Sequence, residues 1–178
     1  MYGTYETIDG KPAVRFERRY PHPVDRVWRA VTDPDEMRHW FPSPDVSHEA
    51  REGGTITLSG DPYSPGATTT KVLTWEPPHR FAFEWETDEL HFTLSEHDDG
   101  CRLELVNFLS TDGAASRNAA GWEICLGHLD RVVDGTWQAS RSDGSMEEFL
   151  PILDKYRSRG LPDDGWLPDE PDTGGETT

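Results

Sequence analysis

The chain has 178 residues, of which 34% are hydrophobic and 11% aromatic, so it can bury one core but not two large ones. Its formal net charge of −17 argues against nucleic-acid and anionic membrane partners, because both would require a basic patch. No apolar run is long enough to cross a bilayer, and residues 1–6 hold neither a basic nor an apolar region, so we expect a soluble, cytoplasmic protein.

The first elements are a strand and two short helices. Residues 11–20 alternate apolar and polar side chains, which predicts the strand. The next apolar residues recur at the i, i+3, i+4 and i+7 spacing of an amphipathic helix: Val24, Val27, Trp28 and Val31. Asp33 as N-cap and the proline after it predict a second helix over 34–39. Helices this short need a larger partner, so we expect Trp28 and Trp40 to pack against a sheet.

The middle of the chain predicts a meander of antiparallel strands. These strands are residues 46–50, 55–59, 68–75, 80–86, 90–96 and 101–108. Most of these strands are joined by short turns: Glu52-Gly-Gly54, Glu76–His79, Thr87–Glu89 and His97–Gly100. A longer loop over 61–66 connects the strands 55–59 and 68–75. Short connections imply antiparallel neighbours. Alternation places three sets of apolar side chains on shared faces: Phe81, Phe83 and Trp85; Leu90, Phe92 and Leu94; Leu103 and Leu105.

The last third of the chain predicts helices. Residues 112–138 have helical apolar spacing, and the weak helix formers Gly121 and Gly127 indicate either close approach to another element or a locally soft helix. Residues 146–159 predict a shorter helix with Pro151 near its first turn. The resulting organisation is an N-terminal segment (1–10), a main domain (11–138), an extra helix (139–160) and an acidic flexible tail (161–178).

The polar residues indicate no specific reaction chemistry. The seven histidines lack metal-ligand spacing, no glycine-rich phosphate loop opens a helix, and we expect no metal and no cofactor. Glu84 and Glu86 are expected on one strand face, where enclosure would allow acid–base work and solvent exposure would not. Cys101 and Cys125 are expected to be buried free thiols.

The order of elements resembles the helix-grip domains of the START-like (SRPBCC) superfamily. More narrowly, it resembles the branch similar to the C-terminal domain of the activator of the heat-shock chaperone ATPase. The segments that carry this resemblance are Pro23–Trp40, Glu52-Gly-Gly54, Val72–Arg80 with Phe83 and Trp85, Phe92–Glu96 with Gly100, and Gly121-Trp122. The resemblance implies an α+β fold in which a curved antiparallel sheet grips one long C-terminal helix, and a cavity between them for apolar molecules.

The aromatic and aliphatic residues of the shared faces would line such a cavity, unless they simply fill a core. The candidates are Trp40, Phe41, Ile56, Leu58, Trp75, Phe83, Trp85, Phe92, Leu105, Trp122 and Leu126. We therefore expect a protein that binds a small apolar, lipid-like or aromatic ligand. A protein-interaction or chaperone-ATPase-regulating module is the alternative, and a homodimer is possible. A cyclase- or hydrolase-like enzyme, in which His91, Asn107 or Glu84 moves a proton, ranks third.

Overall fold

The structure, a computed structural model, describes residues 2–61, 66–138 and 145–165. In these residues one antiparallel sheet of eight strands has the order β1-β2-β8-β7-β6-β5-β4-β3. The strands are β1 (Thr4–Ile8), β2 (Lys11–Tyr20), β3 (Asp45–His48), β4 (Thr55–Ser59), β5 (Thr68–Glu76), β6 (Arg80–Trp85), β7 (Asp88–His97) and β8 (Gly100–Phe108). The helices are α1 (Val24–Thr32), α2 (Pro34–Met37), α3 (Ala115–Val133) and α4 (Met146–Ser158). The predicted helix-grip α+β fold is confirmed.

The sheet begins before the predicted first strand. β1 pairs with β2 along its whole length, from Thr4 opposite Arg15 to Ile8 opposite Lys11. A two-residue turn, Asp9-Gly10, connects the two strands. Residues 4–8 lack strong apolar alternation because β1 lies at the edge of the sheet, where polar side chains are tolerated on both faces.

The helix pair α1–α2 packs on the sheet as expected. Trp28 lies 5.2 Å from Trp75 of β5, and Trp40 lies 6.0 Å from Phe92 of β7, measured between ring centroids. The Asp33 side chain caps α2 by accepting a hydrogen bond from the Asp35 N–H at 2.9 Å. The turn after α2 thereby places Trp40 and Phe41 against the inner face of the sheet.

α3 is shorter than the predicted helix. A 3₁₀ turn over Asp112–Ala114 precedes it, and it ends at Val133 rather than near residue 138. The interpretation of Gly121 and Gly127 as points of close approach is wrong, because a Cβ added at either position would meet no atom within 4 Å. These glycines make the helix locally soft without serving a contact.

α4 covers the outer face of α3. Its Tyr156 hydroxyl donates to Glu123 of α3 at 2.5 Å and accepts the Gly3 N–H at 2.9 Å, which joins both ends of the described chain to the long helix. Pro151 occupies the helix interior rather than its first turn, on an exposed position. α4 itself is confirmed at nearly its predicted bounds.

The first residues of the predicted tail are fastened to the fold. The carbonyl of Pro162 accepts the Ser116 N–H at 2.9 Å, and the carbonyl of Leu161 accepts the Ser116 hydroxyl at 3.1 Å. The prediction of a flexible tail is therefore wrong for residues 161–165, and its remainder, 166–178, lies outside the described residues, as does 62–65 of the predicted loop. No helix in the described ranges is long and apolar enough to cross a membrane.

Candidate functional site

The inner face of the sheet carries a continuous set of stacked aromatic rings. Phe81, Phe83 and Phe92 lie within 5.0 to 6.3 Å of one another, centroid to centroid. Next to them, Phe41, Trp85 and Trp122 form a triangle in which each ring contacts the other two, at 5.2 to 6.1 Å. We call this second group the aromatic triangle. It lies where the β6–β7 turn meets α3, so it joins the sheet to the helix that the sheet grips.

The structure brings most of the predicted cavity residues into one core. Nine of them are buried: Trp40, Phe41, Ile56, Leu58, Phe83, Phe92, Leu105, Trp122 and Leu126. The remaining two, Trp75 and Trp85, are partly exposed and pack against that core. Trp75 contacts Trp28 and His48, both at 5.2 Å, and does not belong to the aromatic triangle. Trp85 is thus the incompletely buried ring of the triangle.

A small cleft opens beside Trp85. Its lining includes Ser43, Leu58, Asp61 and Glu86, and its volume is about 10 Å³. A volume of this size accommodates about one water molecule. A larger guest at this point would therefore have to displace a side chain, and Trp85 is the large side chain that borders the cleft.

A polar group of three residues adjoins the aromatic triangle. The Asn107 amide oxygen accepts hydrogen bonds from Trp122 Nε1 at 3.0 Å and from Asn118 Nδ2 at 2.9 Å. Asn107 Nδ2 and Asn118 Nδ2 both donate to Asp88 Oδ2, at 3.2 and 3.0 Å. We call Asp88, Asn107 and Asn118 the polar triad. Its centre, Asn107, is fully buried, and a buried amide is costly unless it is hydrogen-bonded as it is here.

Strand register places Asp88 and Asn107 of the polar triad on the inner face. Asn107 is the cross-strand partner of Leu90, and Asp88 is the partner of Trp85, so each polar side chain shares a face with a core residue. The predicted turn at 87–89 is wrong in position, because the chain turns at Glu86 and Thr87 and Asp88 already belongs to β7. Glu86 has a φ of 54°, the left-handed conformation that so tight a turn requires.

The predicted acid–base candidates do not meet in the interior. Glu84 pairs across the sheet with Glu89, and His91 with Val106, on the outer face. There His91 Nε2 lies 3.0 Å from Glu89, whose pKa is lowered by hydrogen bonds from Lys11 and His91. Because Glu86 is in the turn, the expectation that Glu84 and Glu86 share a strand face is wrong.

The two thiols are buried and unpaired, as expected. Burial raises the pKa of Cys101 to about 11 and that of Cys125 to about 12. A thiol with so high a pKa holds little thiolate at neutral pH and is a poor nucleophile. Among the described residues, His, Cys, Asp and Glu side chains do not gather in groups of three that could hold a metal ion.

Sequence reasoning missed Asp88 and Asn118 as site residues. One available signal was the inward alternation of β8, in which Cys101, Leu103 and Leu105 are followed by a polar residue at 107. A polar residue at an inward position predicts a buried hydrogen-bonding partner. Which residues supply the partners follows only from the position of the β6–β7 turn and from the docking of α3.

Comparison with known proteins identifies the family. Residues 21–134 match the model of the AHSA1 family, described as Activator of Hsp90 ATPase homolog 1-like protein. The chain belongs to this family. The matched part runs from the turn before α1 to the end of α3, so it includes the aromatic triangle and the polar triad but neither β1 nor α4. No curated protein sequence matches the chain significantly.

Solved structures of similar shape extend over nearly the whole chain. CalU16 from Micromonospora echinospora is 26% identical with a TM-score of 0.66, and the match covers 88% of this chain and 94% of that one. Protein BPP1335 from Bordetella parapertussis is 24% identical with a TM-score of 0.66, over 89% and 91% of the two chains. A protein of unknown function from Enterococcus faecalis, EF2215, is 19% identical with a TM-score of 0.69, over 88% and 89%. The last two similarities concern the fold alone.

Proposed function

We propose that this AHSA1-family protein binds a small apolar, ring-containing ligand where the aromatic triangle meets the polar triad. The observation that carries the proposal is a fully hydrogen-bonded amide, Asn107, buried beside the aromatic triangle. A core that only stabilises the fold would bury apolar groups there at lower cost. Ligand sites typically combine apolar walls with a few fixed polar groups, and the polar groups orient the ligand.

Entry of the ligand would involve Trp85. Its ring is partly exposed, borders the cleft beside Ser43, and contacts both Phe41 and Trp122. Movement of this one side chain would join the water-sized cleft to the aromatic triangle. Phe92, by contrast, is 1% exposed and stacked on the phenylalanines of β6, so it belongs to the part of the interior that stays closed.

The first test is a native mass spectrum of the freshly purified protein under mild activation. We expect a stoichiometric small-molecule adduct. Its complement is titration with N-phenyl-1-naphthylamine, an apolar probe whose fluorescence rises on transfer from water. A clean apo mass together with no binding of the probe would refute the proposal.

Matched variants separate a binding site from a filled core. Trp85→Ala should weaken probe binding at least tenfold with a modest loss of stability, since the ring is already partly exposed. Trp75→Ala is the control, because it removes an equally large, partly exposed ring outside the aromatic triangle and should leave probe affinity unchanged. Phe92→Ala should cost about 3 to 5 kcal/mol of unfolding free energy. Equal effects of the two tryptophan variants on affinity would contradict the assignment.

A protein-interaction role is the second candidate. It is favoured by the net charge of −17 and by the chaperone-activator name of the family model. Such an interaction would be electrostatic, so a pull-down should retain a protein partner at low salt and lose it at high salt. The enzyme hypothesis is weaker, because His91 and Glu84 face outward and the amide of Asn107 does not titrate near neutral pH.

A further inference from the structure

Asp88 carries the charge of the polar triad and receives only neutral donors. Its Oδ1 accepts the Ser110 N–H at 2.8 Å, and its Oδ2 accepts the two amide groups of Asn107 and Asn118. Among the described residues it forms no ion pair with a lysine, arginine or histidine, unlike most carboxylates on the outer face of the sheet. Asp88 is thus a partly buried anion at the edge of an aromatic interior without a counterion of its own.

We propose that the ligand carries a protonated amine on its apolar or aromatic body, and that this amine binds Asp88. This inference rests on the proposed function and specifies the ligand class of the same site. An ammonium group would supply the missing positive charge and form a charge-assisted hydrogen bond, which is about twice as strong as a neutral one. An anionic ligand would instead face the carboxylate without a compensating cation.

The Asn118 amide leaves one further acceptor in the polar triad. Its Nδ2 lies within 3.0 Å of two acceptors, Asp88 Oδ2 and Asn107 Oδ1, so the nitrogen must occupy that position. Its oxygen then points away from both and accepts no hydrogen bond from the described residues. Asp88 and this amide oxygen are thus two acceptors of the polar triad that N–H groups of a ligand can use.

The aromatic triangle complements this pair of acceptors. Trp85 and Asp88 are directly opposite across the β6–β7 pair, which places their Cβ atoms about 5 Å apart on the same face. An ammonium held at Asp88 therefore comes within range of the indole ring of Trp85, where a cation is attracted to the π face. The apolar body of the ligand would then extend toward Trp122 and Phe41.

The experiment compares two probes that share the naphthylmethyl body and differ in whether their polar group is charged. These are 2-naphthylmethylamine, which is protonated at pH 7, and 2-naphthalenemethanol, which is neutral; their Kd values are measured by titration calorimetry at physiological salt. We expect the amine to bind at least about tenfold more tightly than the alcohol. In Asp88→Asn this preference should disappear, so that the amine and the alcohol bind with similar Kd values.

Asp98→Asn is the matched control. It makes the same substitution, removes the same charge, and lies in the turn at the other end of β7, about 30 Å away along an extended strand. Asparagine also tolerates the φ of 50° at that position. The amine preference should persist in this variant; if it falls as much as in Asp88→Asn, net charge rather than the site causes it and the inference is overturned.

The remaining outcomes separate this inference from the proposed function. Equal binding of amine and alcohol, or an amine preference that survives Asp88→Asn, overturns the amine assignment and leaves apolar binding intact. Failure of both probes to bind overturns both proposals. If Asp88→Asn does not fold, NMR of the unmodified protein decides: the amine should shift the side-chain amide signals of Asn107 and Asn118 more than the alcohol does, and equal shifts overturn the inference.

Discussion

Replacing Asn107 by leucine should destabilise the fold through one specific group, the indole N–H of Trp122. Leucine has the same number and branching of side-chain heavy atoms as asparagine, so no cavity forms, and its bulkier methyl groups add a separate packing cost. The Trp122 side chain is 2% exposed, and its N–H would lose its acceptor at 3.0 Å without access to water. A buried unsatisfied donor costs about 1 to 3 kcal/mol. Asp88 and Asn118 are partly exposed and can regain hydrogen bonds to water, so their contribution should be smaller.

A double-mutant cycle measures the contribution of the Asn107–Trp122 hydrogen bond to the free energy of unfolding. Trp122→Phe removes the N–H itself, so Asn107→Leu should cost about 1 to 2 kcal/mol less in that background than in the unmodified protein. Urea unfolding followed by circular dichroism gives the four unfolding free energies, provided that the m-values agree. The control cycle pairs Asn107→Leu with Trp75→Phe, which should be additive because Trp75 does not contact Asn107. Additivity within about 0.5 kcal/mol in the first cycle would refute the assigned hydrogen bond.

Three further predictions concern stability. Gly127→Ala should stabilise the protein by up to about 1 kcal/mol, because the added methyl meets open space in the interior of a helix. Gly53→Ala should instead destabilise the protein, because Gly53 has a φ of 71°, which alanine rarely adopts. Thermal unfolding compares the two variants. Tyr156→Phe should cost about 1 to 2 kcal/mol in urea unfolding by removing the hydroxyl between α3 and Gly3, and an unchanged midpoint would contradict that link. Burial raises the pKa of Cys101 to about 11 and that of Cys125 to about 12, so the thiols of the unfolded state lose their protons first, from about pH 9. The free energy of unfolding should therefore fall between pH 9 and 12, and less steeply in Cys125→Ala. At pH 8 a thiol reagent should label the native protein only as fast as the protein opens.

Local sequence patterns were sufficient for most of the elements. The spacing of Val24, Val27 and Val31, the Asp33-Pro34 cap and the alternation in β6 and β7 each act over a few residues, so they remain readable without the tertiary structure. The patterns failed where a partner decides the outcome. β1 became a strand through its pairing with β2, and residues 161–165 became ordered through hydrogen bonds to Ser116.

The sequence by itself determined which side chains are buried, because period-two alternation and helical spacing set the face on which each residue lies. It therefore indicated that Trp85, Phe92 and Trp122 would converge on one core. It did not determine that Asp88 would join them, since residues 87–89 are predicted as a turn, and only the pairing register with β6 extends β7 back to Asp88, on the same face as Leu90 and Phe92. Only the tertiary structure decided that register. It also brought the Asp88 carboxylate, the amides of Asn107 and Asn118 and the aromatic triangle together, because contacts between residues distant in the chain depend on how whole elements dock.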